Sequence, residues 1–286
     1  MTNDKYEFTG ETKTANGVTV RRIRATRDFG SVKKGEEGGW IEEESNLSIC
    51  EDAWVYGNAI VYGNAKVVGN AKVYDKATVC DNAKVGGNAI VYDNATVYDN
   101  SVVSAKASVG GNAIVGGNAK IYGNAKVYYY ATVVGDSIVV GDPTVGGNAI
   151  VYDNARVCGS AMVCGSAKVC GNAIVDGNAK IYGNATVCGS AKVCGNAKVY
   201  GHAEVLGNAK VSSGADYITF KNCWSSYRWF TYTRSNRMWC VGCFYGSAKD
   251  LVNKAYADSE RSGKCYEAIV NAVETIESAM REEAEQ

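Results

Sequence analysis

Val61-Tyr62-Gly63-Asn64-Ala65-Lys66 recurs, nearly letter for letter, as Val193-Cys194-Gly195-Asn196-Ala197-Lys198. From Ile49 to Asp216 this six-residue unit runs through 28 consecutive copies without an insertion. Every first position is Val or Ile, and every fifth is Ala or Ser except Pro143. A repeat this regular decides the fold class before local propensity is considered. A β-branched residue suits an extended, buried position. The small fifth residue of the preceding unit lies two places earlier, so alternation along a strand sends it to the same side. Each short strand therefore places one large and one small group in a narrow interior. The fourth position is mostly Asn, with Asp52, Asp136, Asp142 and Gly214 among its variants. These residues accept a left-handed backbone, so the chain is expected to turn there. Three such turns close a three-sided coil, and each strand pairs with the equivalent strand of the next coil. At about 4.8 Å per coil the rod is on the order of 45 Å long.

The units resemble the hexapeptide repeat of left-handed β-helix proteins, a family of bacterial acyltransferases and related non-catalytic proteins. Parallel crossovers are generally right-handed, so the left hand is what the resemblance implies and not what the periodicity shows. The second position departs from that family, which favours Gly, Ala, Glu or Asp where this chain often has Tyr, Cys or Val. The expected architecture is an all-β left-handed parallel β-helix over residues 49–216. An N-terminal β cap precedes it over 1–48, and a small α+β domain follows over 217–286.

Lys+Arg and Asp+Glu number 30 each, so no whole-chain field steers nucleic acid or membrane. No apolar run is long enough to span a bilayer, and Met1-Thr2-Asn3-Asp4 does not begin a signal peptide. A soluble, cytoplasmic protein without membrane contact is expected. Of 11 cysteines, Cys50, Cys80, Cys158, Cys164, Cys170, Cys188 and Cys194 share the second slot of the repeat. Spacing set by a repeat and not by pairing points to reduced thiols. Cys170 and Cys188 fall on adjacent coils at about 5 Å, within disulfide range, yet a reducing cytoplasm argues against a bond.

Sorting outward residues coil by coil separates three faces. The first carries Ile60 and Tyr62, Thr78 and Cys80, Thr96 and Tyr98, Ile114 and Gly116, Thr132 and Val134, then Ile150 and Tyr152, with no charge until Lys168. An uncharged apolar stripe on a rod marks a contact surface. Ile60, Tyr62, Thr78, Thr96, Tyr98, Ile114, Thr132, Val134, Ile150 and Tyr152 are the expected homo-oligomer interface, trimeric by family resemblance. A different partner, or strand-forming residues facing solvent, are the other readings. The second face mixes Tyr56, Tyr74, Tyr92, Tyr128, Tyr182 and Tyr200 with lysines, and the third is mainly Lys and Arg. The Tyr/Lys face could support cation–π ladders, but such a mixture reads more simply as solvated sheet surface.

Asn16-Gly17 between alternating strands makes residues 6–27 a hairpin. Gly38-Gly39-Trp40-Ile41 leads into the rod, with Trp40 expected to cover the first coil, because solenoid ends must be capped. Beyond Asp216, residues 217–245 hold Trp224, Trp229, Trp239 and four basic residues, with no Asp or Glu. Tyr217–Phe220, Arg228–Thr233 and Met238–Tyr245 read as strands, and Ala248–Asp258 and Lys264–Arg281 as helices. The second helix has Ile269, Val273, Ile276 and Met280 on one stripe. The N-terminal and C-terminal segments resemble those of phage-type hexapeptide proteins.

No catalytic set emerges. Left-handed β-helix acyltransferases generally use a histidine base, and the one histidine here, His202, occupies a turn slot. Cys240-Val241-Gly242-Cys243 offers a CxxC, but its partners Cys223 and Cys265 do not form a second close pair, and Cys240 and Cys243 would face opposite sides of one strand. No metal or cofactor is expected. The best binding signal is Tyr227, Arg228, Trp229, Tyr232, Arg234, Arg237 and Trp239, since bases stack on aromatic faces while Arg takes phosphates. Packing in a small core, or recognition of a host protein, would use the same residues. The expected function is a non-catalytic oligomeric scaffold, of phage or prophage origin by resemblance, that presents its terminal domain to a partner. The alternatives are a phage counter-defence protein that sequesters a nucleotide signal or blocks a host factor, and an acyltransferase-like enzyme.

Overall fold

The computed structural model describes residues 3–282. Met1 and Thr2, where the leader reading begins, lie outside the described residues, as do 283–286. The repeat region is a parallel β-solenoid of 27 two-residue strands, from Trp54–Val55 to Lys210–Val211. They stack in three sheets, in which Val61 pairs with Val79, Val67 with Val85 and Val73 with Val91. Each pair is one coil apart, so the eighteen-residue offset holds throughout. The first and fifth positions form one continuous core in which residues such as Val97, Val115 and Ala113 are fully buried.

The turn sits one residue earlier than expected. Gly63, Gly69, Asp75 and Asp81, all third positions, have φ of 67°, 70°, 58° and 58°, whereas no fourth-position Asn of the rod has a positive φ. At Gly69 the coils also stack too closely for a side chain: a Cβ there would stand 2.9 Å from the Gly87 nitrogen of the next coil. The neighbouring Asn instead projects its amide along the rod. Asn64 donates to Asn82 at 3.1 Å, Asn82 to Asn100 at 3.0 Å, Asn100 to Asn118 at 3.1 Å and Asn118 to Asp136 at 2.8 Å.

Strands β1 (Tyr6–Ala15) and β2 (Val18–Ala25) form the hairpin, with Asn16 and Gly17 at φ 49° and 80°. They continue the first rod face through β3 (Glu37–Ile41), in which Trp40 pairs with Ile60. Rung pairing thus begins inside the N-terminal segment. Trp40 lies in register with an outward residue and is covered by Lys13, 4.4 Å from its ring centroid. The residue that closes the first coil is Trp54, fully buried against Tyr6 and Phe29. Lys5 is also fully buried, and its ammonium donates to the carbonyls of Ser48 (2.9 Å) and Ala53 (2.8 Å). Those carbonyls lie at the start of the rod, where no preceding coil supplies an amide to the Ala53 carbonyl.

A disulfide joins Cys170 to Cys188, contrary to the expectation of free thiols there. In-register stacking brings their Cα atoms to 4.6 Å, inside the bonding range. The other nine cysteines are free.

Beyond the rod a four-stranded antiparallel sheet is followed by helices α1 (Ala248–Asp258) and α2 (Glu260–Glu282). The expected third strand is two, Met238–Val241 and Phe244–Gly246, because Gly242 at φ 59° reverses the chain between them. Cys243 therefore lies in an exposed turn, and the opposite-faces argument for the CxxC does not apply. α2 begins earlier than expected, running through Gly263, where any side chain would collide with the Tyr256 ring of α1. Phe230, Trp239, Leu251, Tyr266 and Val270 form this domain's core.

Candidate functional site

Two surfaces hold the residues singled out from the sequence. The first is the rod face continuous with the hairpin. Ile60, Thr78, Thr96, Ile114, Thr132 and Ile150 stand in one column there, each paired with the next. Ile114 is 40 % exposed, and its neighbours in the column are half-buried. Tyr62, Tyr98, Val134 and Tyr152 flank the column, also half-buried. Tyr62 is partly engaged, since its hydroxyl accepts from the Asn16 amide at the hairpin tip at 2.9 Å.

The second surface is the terminal domain, which docks on the last coil mainly through side chains. The Glu204 amide donates to Thr231 Oγ1 at 3.0 Å and the Lys210 amide to Ser235 Oγ at 2.6 Å. The Tyr217 hydroxyl donates to the Lys198 carbonyl at 2.9 Å. These contacts satisfy groups that a further coil would have paired. The Cys240 thiol donates to the Glu204 carboxylate. Burial pushes that thiol well above its usual range, and the carboxylate pushes it further. His202 is exposed, with its ring 4.6 Å from that of Trp229 and 21° from parallel. The left-handed residue of its turn is Gly201, so His202 does not take the conformation expected of it.

The seven predicted binding residues separate. Tyr232 and Trp239 are core residues, 5 % and 1 % exposed. Trp229 lies at the junction with the rod. Arg234 pairs with Glu277 at 3.3 Å, and the Tyr232 hydroxyl donates to the same carboxylate at 3.0 Å. Tyr227, Arg228 and Arg237 are exposed, and Tyr227 and Arg237 have φ of 54° and 53°. Trp224, absent from the predicted set, is 85 % exposed beside Tyr227 at 69 %. The signal for it was local: Asn222 precedes it and accepts from the Trp224 and Ser225 amides, an Asx turn that throws the indole outward.

Two depressions border the Tyr232–Glu277–Arg234 cluster. A cleft of about 480 Å³ is lined by Tyr232, Arg237, Trp239, Lys249, Val273, Glu274 and Glu277, with the Ser247 and Ser278 side chains at its margin. A smaller apolar groove of about 180 Å³ is lined by Tyr217, Ile218, Arg234, Ile276 and Met280. The cleft joins three predicted residues to α1 and α2, whose Lys249, Glu274 and Glu277 carried no periodic signal of a site.

Among the described residues no group of three or more His, Cys, Asp or Glu is placed to hold a metal ion. Cys265 accepts from Ser225 Oγ at 3.5 Å and Asn222 Nδ2 at 3.8 Å, while Cys223 is exposed. No helix among the described residues is long and apolar enough to cross a membrane. The family described as YdcK Beta solenoid repeat matches residues 89–105 and 179–195, each just short of one coil of the rod described above. Among curated proteins, none matches the chain.

Proposed function

We propose that this chain, a β-solenoid repeat protein, is a non-catalytic scaffold that self-associates through its uncharged rod face and presents its terminal domain to a partner. One observation carries the reading: Ile60, Thr78, Thr96, Ile114, Thr132 and Ile150 form a column free of charge over six coils, before Lys168 and Glu204 enter the same sheet. The rod has no loop insertion that would shape an acyl-donor site, and His202 stacks on Trp229, so an acyltransferase role has no support from geometry. A closed ring of three rods would bury this column in the usual manner of symmetric oligomers. Light scattering on the purified chain tests it. A trimer is expected, and the double variant Thr96→Lys, Ile114→Lys should run as a monomer with unchanged circular dichroism. A wild-type monomer at micromolar concentration would remove the self-association reading.

A second reading rests on the turn at 222–228. A fully displayed Trp224 and Tyr227 beside Lys221 and Arg228 match the stacking and phosphate contacts of nucleotide recognition. On that reading the protein is a phage counter-defence factor that sequesters a nucleotide signal or blocks a host factor. Quenching of tryptophan fluorescence by mononucleotides, lost in Trp224→Phe, is the expected result. An unchanged spectrum through millimolar nucleotide counts against it.

A further inference from the structure

We propose that the cleft between the Thr233–Met238 turn and helix α2 is a binding site for a phosphomonoester with a polar, hydrogen-bonding body. The inference is independent of rod self-association, and it shares with the second reading only the domain, not the turn at 222–228.

The volume, about 480 Å³, is that of a small-molecule site. Its two cations, Arg237 and Lys249, have no ion-pair partner among the described residues, although Glu274 lines the same cleft. Arg234, three residues before Arg237, is by contrast paired with Glu277. Two cations outside any ion pair in the lining of one cleft suit the charge-assisted contacts that a phosphate ester makes, and Glu274 leaves part of that charge for the ligand body. Glu274 and the Ser278 hydroxyl, both on α2, can accept from amino or hydroxyl groups of the ligand body.

The backbone at Arg237 is unusual for a long side chain. Its φ of 53° is a left-handed conformation in which a long side chain is disfavoured and glycine is not. This chain uses glycine in many such turns, including Gly242 at φ 59° in the next one, and also places Asp75, Ala105, Tyr129 and Tyr227 at positive φ. An arginine is therefore not the residue that the backbone of this turn favours. Nothing in the core requires it, since Arg237 is exposed.

The test uses the full chain with AMP, ribose 5-phosphate, adenosine and inorganic phosphate, read by calorimetry and thermal shift. AMP or ribose 5-phosphate should bind and raise Tm, the pair distinguishing a nucleotide from a sugar phosphate, while adenosine should not. Arg237→Gly should weaken binding about tenfold or more, the loss of one charge-assisted contact, while leaving Tm of the free protein equal or higher. Lys249→Ala should weaken binding similarly, and Trp224→Phe should leave it unchanged. The inference is overturned if no phosphoester binds at about millimolar concentration, or if inorganic phosphate alone binds as well as the esters. Binding that depends on Trp224 but not on Arg237 overturns it too, and moves the site to the turn.

Discussion

The ring of Tyr92 occupies the space that a side chain at Gly110, one coil further along, would need. The same arrangement recurs with Tyr98 over Gly116, and with Tyr128 over Gly146, where an added Cβ would stand 3.0 Å from Tyr128 Cζ. None of these three glycines has a positive φ, so the ring overhead and not the backbone selects glycine. Large and absent side chains thus alternate along a face, an aromatic covering a glycine. Gly→Ala in ordinary extended backbone normally stabilises by about 0.4–1 kcal/mol through the unfolded chain. Here Gly110→Ala should lose that gain by displacing Tyr92, and it should recover it in a Tyr92→Ala background. Urea midpoints of the four proteins of this cycle measure the coupling, expected at about 1 kcal/mol. Additive effects would show that the ring moves aside freely.

The Asn64–Asn82–Asn100–Asn118 ladder has a direction: each amide donates forward, and the last acceptor, Asp136, is a carboxylate that can only receive. A carboxylate is therefore acceptable at the end of the row and not inside it. Asp136→Asn should be close to neutral. Asn100→Asp should cost about 1 kcal/mol or more at pH 7, because the new group cannot donate to Asn118. Protonation restores a donor, so the folded state holds that proton more tightly than the unfolded one. The penalty should shrink as pH falls through about 4 and 5. Denaturation of both variants at pH 7 and 4 checks the asymmetry; equal costs at the two positions would contradict it.

The rod is legible in the sequence because its determinants are local and repeated. Val61 and Ala65 specify a buried pair without reference to anything distant, and the register follows from unit length. The turn is misplaced by one residue because Gly63 and Asn64 both tolerate left-handed φ, so residue type alone does not say which one uses it. The end cap is less legible for a related reason: Trp40 and Trp54 are equally apolar, and their places depend on how β3 pairs with the rod. In the terminal domain, alternation and helical spacing locate most elements. They do not reveal that Tyr232 and Trp239 face inward, or that α2 brings Glu277 to Arg234 across 43 residues of chain. A site assembled by long-range packing leaves no periodic trace.

Lys5 gives the N-terminal cap a pH dependence of definite sign. Burial lowers its pKa to about 8 from an ordinary 10.5, although Asp52 opposes the shift. Below pH 8 folded and unfolded chains both carry the proton, and the folded state bears the full cost of a desolvated ammonium. Between about 8 and 10.5 the unfolded chain binds more protons, so stability rises with pH. Lys5→Met lacks this slope. It should nevertheless be less stable at pH 7, by about 1–3 kcal/mol, because the Ser48 and Ala53 carbonyls lose their donor. Urea denaturation of both proteins from pH 7 to 9.5 isolates this slope, because the cysteines and tyrosines that titrate nearby are common to both. The wild type should gain on the variant by about 2 kcal/mol over that range. Parallel curves would mean that the ammonium is solvated.

Cys240 reports whether the terminal domain is seated on the rod. Its thiol is buried and donates to Glu204, a side chain of the last coil, so it becomes accessible only when the domain lifts away. Cys243 lies three residues on in an exposed turn and provides an internal control. Reactivity follows the thiolate, and burial beside a carboxylate suppresses it at Cys240. In native protein at pH 8, iodoacetamide should modify Cys243 readily and Cys240 only at the rate of undocking, as resolved by peptide mass spectrometry. Thr231→Val removes the acceptor for the Glu204 amide without changing side-chain size. The loss of that contact, about 1.4 kcal/mol, should speed Cys240 labelling roughly tenfold and leave Cys243 unchanged. If both cysteines react alike in the wild type, the domain is not held against the last coil, and the rod ends on an open edge.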